Sequence, residues 1–429
     1  MADLNRQLRN FIERTRKENE EKHIPNLKEK LQRLYSKSTP VKFMPEEEVV
    51  RNYKNISNFI NGEWVNTEHG DIFIARKSIP IHTEYSGKPL EAIFQINDDW
   101  LSRLGNFKER KVIDFTQTVF LDTETTGLSL GTGTVAFIVG IGYFSEDKFF
   151  IDQYFIDNFN KEPGMLQLIS NSLEPFENII TFNGKAFDIP ILESRFTINM
   201  LKSPFQKLSH LDLLHPARQL WNLELENCKL STIEERILSI KRGNDLPGEE
   251  VPRFYFRYLH TSDPLEVKPI FQHNCQDIIS LALTTIALWQ HFHNIDPLSD
   301  SKLIQKSRAK ILAKKGEIEK AISIYEKSLS EELPAYLEKE TYIKLGLLYK
   351  KTGNLKKMEA FFEKAIEIEI PFYLTPYVEL AKLYEHKVKD LQKAYEIIQE
   401  ALNKISPHKV KEIASLEHRL KRIKRKMGC

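Results

Sequence analysis

Apolar and polar positions follow four regimes along the chain. From 1 to 44 charged residues dominate, and Leu27, Leu31 and Leu34 recur at helical spacing, which predicts one amphipathic helix in a charged N-terminal segment. From 45 to 110 the pattern becomes a small β-containing lead-in. There Asn61-Gly62, between Phe59-Ile60 and Trp64-Val65, predicts a hairpin turn, and Asp71 to Ala75 predicts a strand. From 111 to 296 strands dominate and then alternate with helices. Val119 to Leu121 is a short apolar run closed by polar residues and Gly127, the pattern of a buried central strand. Val135 to Phe144 and Lys148 to Phe155, separated by Ser145-Glu146-Asp147, complete an antiparallel meander. Further strands are expected at Asn178 to Phe182 and Leu208 to Leu213, and helices at Pro190 to Phe196, Leu230 to Ile240 and Pro264 to His293. Ser231-Thr232-Ile233-Glu234 reads as a capping box for the second of these helices. Meander followed by βα alternation predicts an α/β domain, a mixed sheet flanked by helices.

Strand patterns stop in the fourth regime, 297 to 429. Ala309, Gly346 and Ala381 recur at intervals of 37 and 35, and Ser328, Ala365 and Ala401 at 37 and 36. Small residues at a period near about 34 let paired helices approach closely, as in tetratricopeptide repeats, and three degenerate repeats are expected. Val388-Lys389-Asp390 replaces the glycine turn of the preceding repeats with an extra residue. A last helix from His408 to Met427 ends in Lys421-Arg422-Ile423-Lys424-Arg425-Lys426, which either caps the repeats or touches phosphates, capping being favoured.

Composition adds exclusions and one asymmetry. The chain lacks an apolar run of 18 residues, so no membrane partner is expected, and its first residues lack a secretory apolar core. Cys228, Cys275 and Cys429 have no metal-ligand spacing, and a reduced cytoplasm is the expected location. The net charge of +2 divides into +2 for 1 to 110, −9 for 111 to 296 and +9 for 297 to 429. An acidic middle suits collection of divalent cations, and a basic third suits either a polyanion or plain solvation of helix faces.

Candidate chemistry lies in the acidic middle. Asp122 and Glu124 leave the first strand on one face, where two anions repel unless they gain protons or cations. Asp188 follows the strand and turn of Phe182-Asn183-Gly184, and His273 and Asp277 lie one turn apart on one helix face. Together they describe a metal site with an adjacent acid/base group. Other residues carry blander readings. His210, Asp212 and His215 suit local hydrogen bonding, and Arg195 and Arg218 suit either phosphate or a salt bridge. Lys185 belongs to no phosphate loop, since Ile179 and Ala186 stand where Gly and Ser/Thr are required. The run Gly127 to Gly133 is expected to form a flexible loop, and Arg253, Arg257 and His260 a rim over the site.

The motifs Asp122-Thr123-Glu124-Thr125-Thr126-Gly127, Phe182-Asn183-Gly184-Lys185, Leu211 to Arg218 and His273-Asn274-x-x-Asp277 resemble the bacterial YprB family, within the DEDD exonucleases of the ribonuclease-H-like fold. The resemblance covers about Lys111 to His293 and, by architecture, the helical repeats. It implies a ribonuclease-H-like domain followed by an all-α tetratricopeptide-like domain. It also implies a 3′-to-5′ exonuclease in which Asp122, Glu124, Asp188 and Asp277 hold two Mg²⁺ or Mn²⁺ ions and His273 is the general base. His273 stands four residues before Asp277, the spacing of the Tyr-type rather than the His-type branch, so a role in orienting a carboxylate or phosphate stays open beside that of base. DNA as preferred substrate, a repair setting and a helicase partner are implied by the resemblance alone. The same chemistry on RNA, or a tetratricopeptide adaptor that only binds nucleic acid, are the alternatives.

Overall fold

The strand at Thr118–Thr125 is buried along nearly its whole length because sheet neighbours flank it on both sides. The computed structural model describes residues 56–104, 112–127, 133–243, 245–293, 301–329 and 333–428. The helix expected around Leu27 to Leu34 and most of the loop from Gly127 to Gly133 lie outside them. In chain order the strands are β1 (Gly62–Val65), β2 (Ile72–Pro80), β3 (Glu84–Tyr85), β4 (Lys88–Pro89), β5 (Thr118–Thr125), β6 (Ala136–Ser145), β7 (Lys148–Phe155), β8 (Asn178–Thr181) and β9 (Ser209–Asp212). Seven of them form one mixed sheet ordered β1-β2-β7-β6-β5-β8-β9, with β5, β8 and β9 mutually parallel and the other pairs antiparallel.

The lead-in expected at 45 to 110 therefore supplies two strands of this same sheet, β2 pairing with β7 over Phe73 to Pro80. Asn61-Gly62 is not the hairpin turn. Gly62 opens β1 opposite Ala75, and the reversal runs through Asn66 to Asp71, with Thr67 Oγ1 donating to the Gly70 carbonyl at 2.6 Å. A side chain at residue 62 would collide with the backbone of Ile74, so close packing, not turn geometry, selects the glycine.

Helices α1 (Trp100–Leu104), α2 (Glu162–Leu173), α3 (Asp188–Ile198), α4 (Leu214–Trp221), α5 (Leu230–Arg236), α6 (Val251–Thr261) and α7 (Pro264–His293) accompany the sheet. Val119 and Leu121 pack in one core with Met165 and Ile169 of α2 and Leu192 and Phe196 of α3. Phe120 packs in the other with Ile278 of α7 and Leu220 of α4. Strand alternation thus sends Asp122 and Glu124 to the α7 side. No helix among the described residues is long and apolar enough to cross a membrane.

Among the described residues seven helices follow: α8 (Lys302–Lys315), α9 (Ile318–Ser328), α10 (Ala335–Lys351), α11 (Leu355–Glu367), α12 (Leu374–Leu383), α13 (Leu391–Lys404) and α14 (Val410–Met427). The recurrent small residues Ala309, Gly346, Ala381, Ser328, Ala365 and Ala401 are all buried, as close helix pairing requires. The extra residue near Val388 is absorbed by a π-helical turn, Tyr384–Val388, and a left-handed Lys389, after which Asp390 caps α13. The α/β core runs without a break into the repeats, Trp221, Trp289 and Phe292 packing in one cluster with Ile304 and Leu312.

The terminal basic run caps the repeats. Arg419, Arg422 and Lys426 converge on the buried Glu385 carboxylate at 3.0, 2.6 and 2.7 Å. Burial works against the charge, but hydrogen bonds from Arg422 and Lys426 outweigh it and hold this carboxyl at about 2. Glu385→Gln is expected to cost about 2 kcal/mol at neutral pH by removing charge-assisted hydrogen bonds. Because the folded value is depressed, that contribution is full above the ordinary glutamate range and fades as pH falls from about 4 towards 2. Urea titrations of both proteins across that range measure it.

Candidate metal centre

β5 pairs with β6 through Asp122 opposite Gly140 and Glu124 opposite Ile138, and a bulge between Glu124 and Thr125 ends the regular ladder there. Both carboxylates face α7. Asn274 of that helix, fully buried, donates to Asp122 Oδ2 at 2.9 Å and accepts at its own Oδ1 from Gln153 of β7 at 2.9 Å. A relay from Gln153 of β7 through Asn274 of α7 to β5 therefore fixes Asp122. Gly140 lets it through, since a Cβ there would overlap the Asn274 amide. Gly140→Ala is expected to cost about 2 kcal/mol, the usual scale of overpacking, read as a lower urea midpoint.

Asp188 opens α3 after a tight turn in which Asn183 takes a left-handed conformation. The turn is held by Asp212 at the end of β9, whose buried carboxylate accepts from the backbone N–H groups of Asn183, Lys185 and Leu214 at 2.8, 3.1 and 3.0 Å. Asp212 thus hydrogen-bonds locally, as expected. So does His210, 2.8 Å from Thr181 Oγ1, where burial pushes its imidazole down to about 4. Thr123 Oγ1 donates to Asp188 Oδ1 at 2.5 Å, tying this carboxylate to β5 itself.

Glu124 of β5 and His273 and Asp277 of α7 present ligand atoms within 4.8 Å of one another. His273 Nε2 lies 3.6 Å from Asp277 Oδ2, and its Nδ1 lies 2.9 Å from Asp245 Oδ2. Asp245 belongs to the segment after α5. From the same segment Arg242 donates to Glu234 at 2.6 Å, to Asp245 at 2.8 Å and to Asp277. Glu234 therefore closes no capping box: α5 begins at Leu230 without a side-chain cap, and the Glu234 carboxylate turns inward to Arg242 and Ser280.

Electrostatics at the strand end favours protons or cations. Burial, then repulsion from Asp277 and Asp188, pushes the Asp122 and Glu124 carboxyls well above the usual range. Burial lifts Asp188 to about 6 despite its hydrogen bond from Thr123. The carboxylate oxygens are donors that could hold a divalent cation. Glu124, His273 and Asp277 thus form one group at the end of β5, and Asp122 and Asp188 stand near enough to repel it without joining it. Asp245, Arg242, Gln153 and Asn274 join them as their supports.

Other expectations resolve into structural roles. Arg195 forms a buried pair with Glu162 at 2.6 Å, which is the salt-bridge reading rather than the phosphate one. On the expected rim, Arg253 pairs with Glu250 and Arg257 with Glu266.

Residues 119–289 match the RNase H superfamily, and residues 307–332 and 339–369 match the tetratricopeptide repeat. The Bacillus subtilis (strain 168) protein YprB, itself uncharacterized, is 31% identical over 356 residues, which cover 80% of this chain and 83% of that protein.

Proposed function

Since the chain belongs to the YprB family, with an RNase H superfamily domain ahead of tetratricopeptide repeats, we propose that it is a metal-dependent 3′-to-5′ exonuclease. The observation that carries this reading is the grouping of Glu124, His273 and Asp277 at the end of β5, with Asp122 and Asp188 near enough to repel it and Asp122, Glu124 and Asp188 all held above the usual carboxylate range. Such a group has little reason to persist without cations. In this reading the four carboxylates hold two Mg²⁺ or Mn²⁺ ions. Bound there, the ions would supply an activated water and stabilise charge on the leaving 3′ oxygen.

The chain's own groups do the rest. Asn274 fixes Asp122, and Thr123 fixes Asp188. His273 takes the proton of the attacking water at Nε2, while Asp245 holds the ring through Nδ1. The family spacing left the role of His273 open between base and orienting group. Its second nitrogen, held by a carboxylate, supports the base. His273→Ala is expected to lower kcat by about 10²-fold or more with KM little changed, whereas retention of near wild-type kcat removes it as base.

DNA as the substrate, in a repair setting, follows from the family resemblance, as does a helicase as protein partner of the repeats. The competing substrate is RNA, distinguished by contacts to its 2′-hydroxyl. Incubation with matched DNA and RNA oligonucleotides, single-stranded and duplex, in Mg²⁺ or Mn²⁺ separates them. Faster loss of DNA supports the proposal, and selective loss of RNA replaces the substrate while keeping the chemistry.

A further inference from the structure

Away from the carboxylates, a groove of about 460 Å³ opens between α8 and α10 of the helical repeats. Lys310 and Lys314 stand on its α8 wall, Lys344 and Lys351 on its α10 wall, and Leu347 and Leu348 form its floor. The lysines are one helical turn apart on α8 and two turns apart on α10, so each pair points the same way. All four are exposed, and among the described residues none makes an ion pair or hydrogen bond. A fifth lining lysine, Lys350, pairs with Glu379 at 2.5 Å, and elsewhere the repeats pair such residues too: Lys357 with Glu326 at 3.2 Å, Lys393 with Glu363 at 3.0 Å and Lys404 with Glu400 at 2.7 Å. Four like charges gathered without counter-ions raise the potential of the groove and suit an anionic occupant.

The floor decides which anion. Single-stranded nucleic acid is held where cations along a groove are joined by aromatic faces on which bases stack. Here the half-exposed floor residue is the aliphatic Leu347, Leu348 beneath it is buried, and the ring at the edge, Tyr325, is buried as well and offers no face. A peptide with acidic side chains for the lysines and an aliphatic one for Leu347 matches both features.

We propose that the groove between α8 and α10 is the docking site for an acidic, leucine-containing segment of a protein partner. The proposal specifies the partner of the repeats and does not depend on the nuclease reading.

The test uses the full chain and a fluorescein-labelled peptide of glutamates interleaved with leucines. A second peptide carries glutamine for glutamate, and a labelled oligo(dT) serves as the nucleic-acid probe. Fluorescence anisotropy compares wild type with Lys310→Glu/Lys344→Glu, whose substitutions lie at exposed positions. The acidic peptide is expected to bind wild type in a salt-sensitive way, to bind the variant at least about tenfold more weakly, and to outcompete the glutamine peptide. Equal binding to both proteins, or no binding to wild type, overturns the proposal. Loss of oligo(dT) binding in the variant with peptide binding unchanged also overturns it and assigns the groove to nucleic acid. Nuclease activity measured on the same preparations reports separately on the proposed function.

Discussion

Asp122→Ala/Glu124→Ala is expected to lose metal-dependent hydrolysis by about 10³-fold or more, and at the same time to be more stable than wild type in EDTA. The first effect is the scale reached when preorganised charge stabilisation at a reacting centre is removed. The second follows from burial and mutual repulsion, which push both carboxyls well above their ordinary range without metal. A group whose folded value is raised contributes stability below its unfolded value, near about 4, and loses it as pH rises through the folded value. Asp188, at about 6, marks the lowest visible step of that loss. Wild type in EDTA should therefore lose stability as pH rises from about 4 past 6, and the double variant should lose less. Added Mn²⁺ should restore wild type and leave the variant unmoved. A variant that is inactive merely because it is misfolded would instead show a lower melting temperature in EDTA.

Arg242→Met is expected to be the most damaging single change to stability near the site, at about 3 to 5 kcal/mol, because it removes one partner of a buried charge network. The Arg242 side chain is 13% exposed and the Glu234 side chain 1%, so Glu234 would be left ionised in the interior with Ser280 as its remaining donor. Burial already raises the Glu234 carboxyl, and Arg242 partly offsets that rise. Without the guanidinium the carboxyl rises further, so the cost of the substitution should shrink as pH falls and Glu234 takes a proton. Glu234→Gln/Arg242→Met should cost clearly less than the two single changes added together, which a double-mutant cycle by urea denaturation reads directly. Additive costs would mean that the two residues are not energetically coupled.

Much of this arrangement is legible in the chain because it is local. The apolar run into Asp122 and Glu124, the Asn183-Gly184 turn before Asp188 and the one-turn spacing of His273 and Asp277 are each short-range patterns, and the first and last of them meet in the group of Glu124, His273 and Asp277. The repeat period likewise marks buried small residues between paired helices.

What escaped is long-range. β1 and β2 join the main sheet through pairing between β2 and β7, residues far apart in the chain, which no local alternation encodes. Glu234 carries a local capping signal that tertiary contact with Arg242 overrides. The basic C-terminal run is directed to Glu385, thirty-four or more residues upstream, and only packing reveals that destination. Gln153 did leave a trace, a polar residue on the same side of the strand Lys148–Phe155 as the apolar Phe149 and Ile151. Its partner Asn274, inside the His273 to Asp277 motif, makes that trace interpretable.

The central claim, a cation-dependent exonuclease built on Asp122, Glu124, Asp188 and Asp277, is tested most directly by following one oligonucleotide labelled at either end. Purified protein in Mn²⁺ should shorten a 5′-labelled strand into a descending ladder and release the label of a 3′-labelled strand at once as a mononucleotide. EDTA or Asp122→Ala/Glu124→Ala should abolish both. Degradation that survives EDTA and the double variant, or loss of the label from the 5′ end first, would contradict the account.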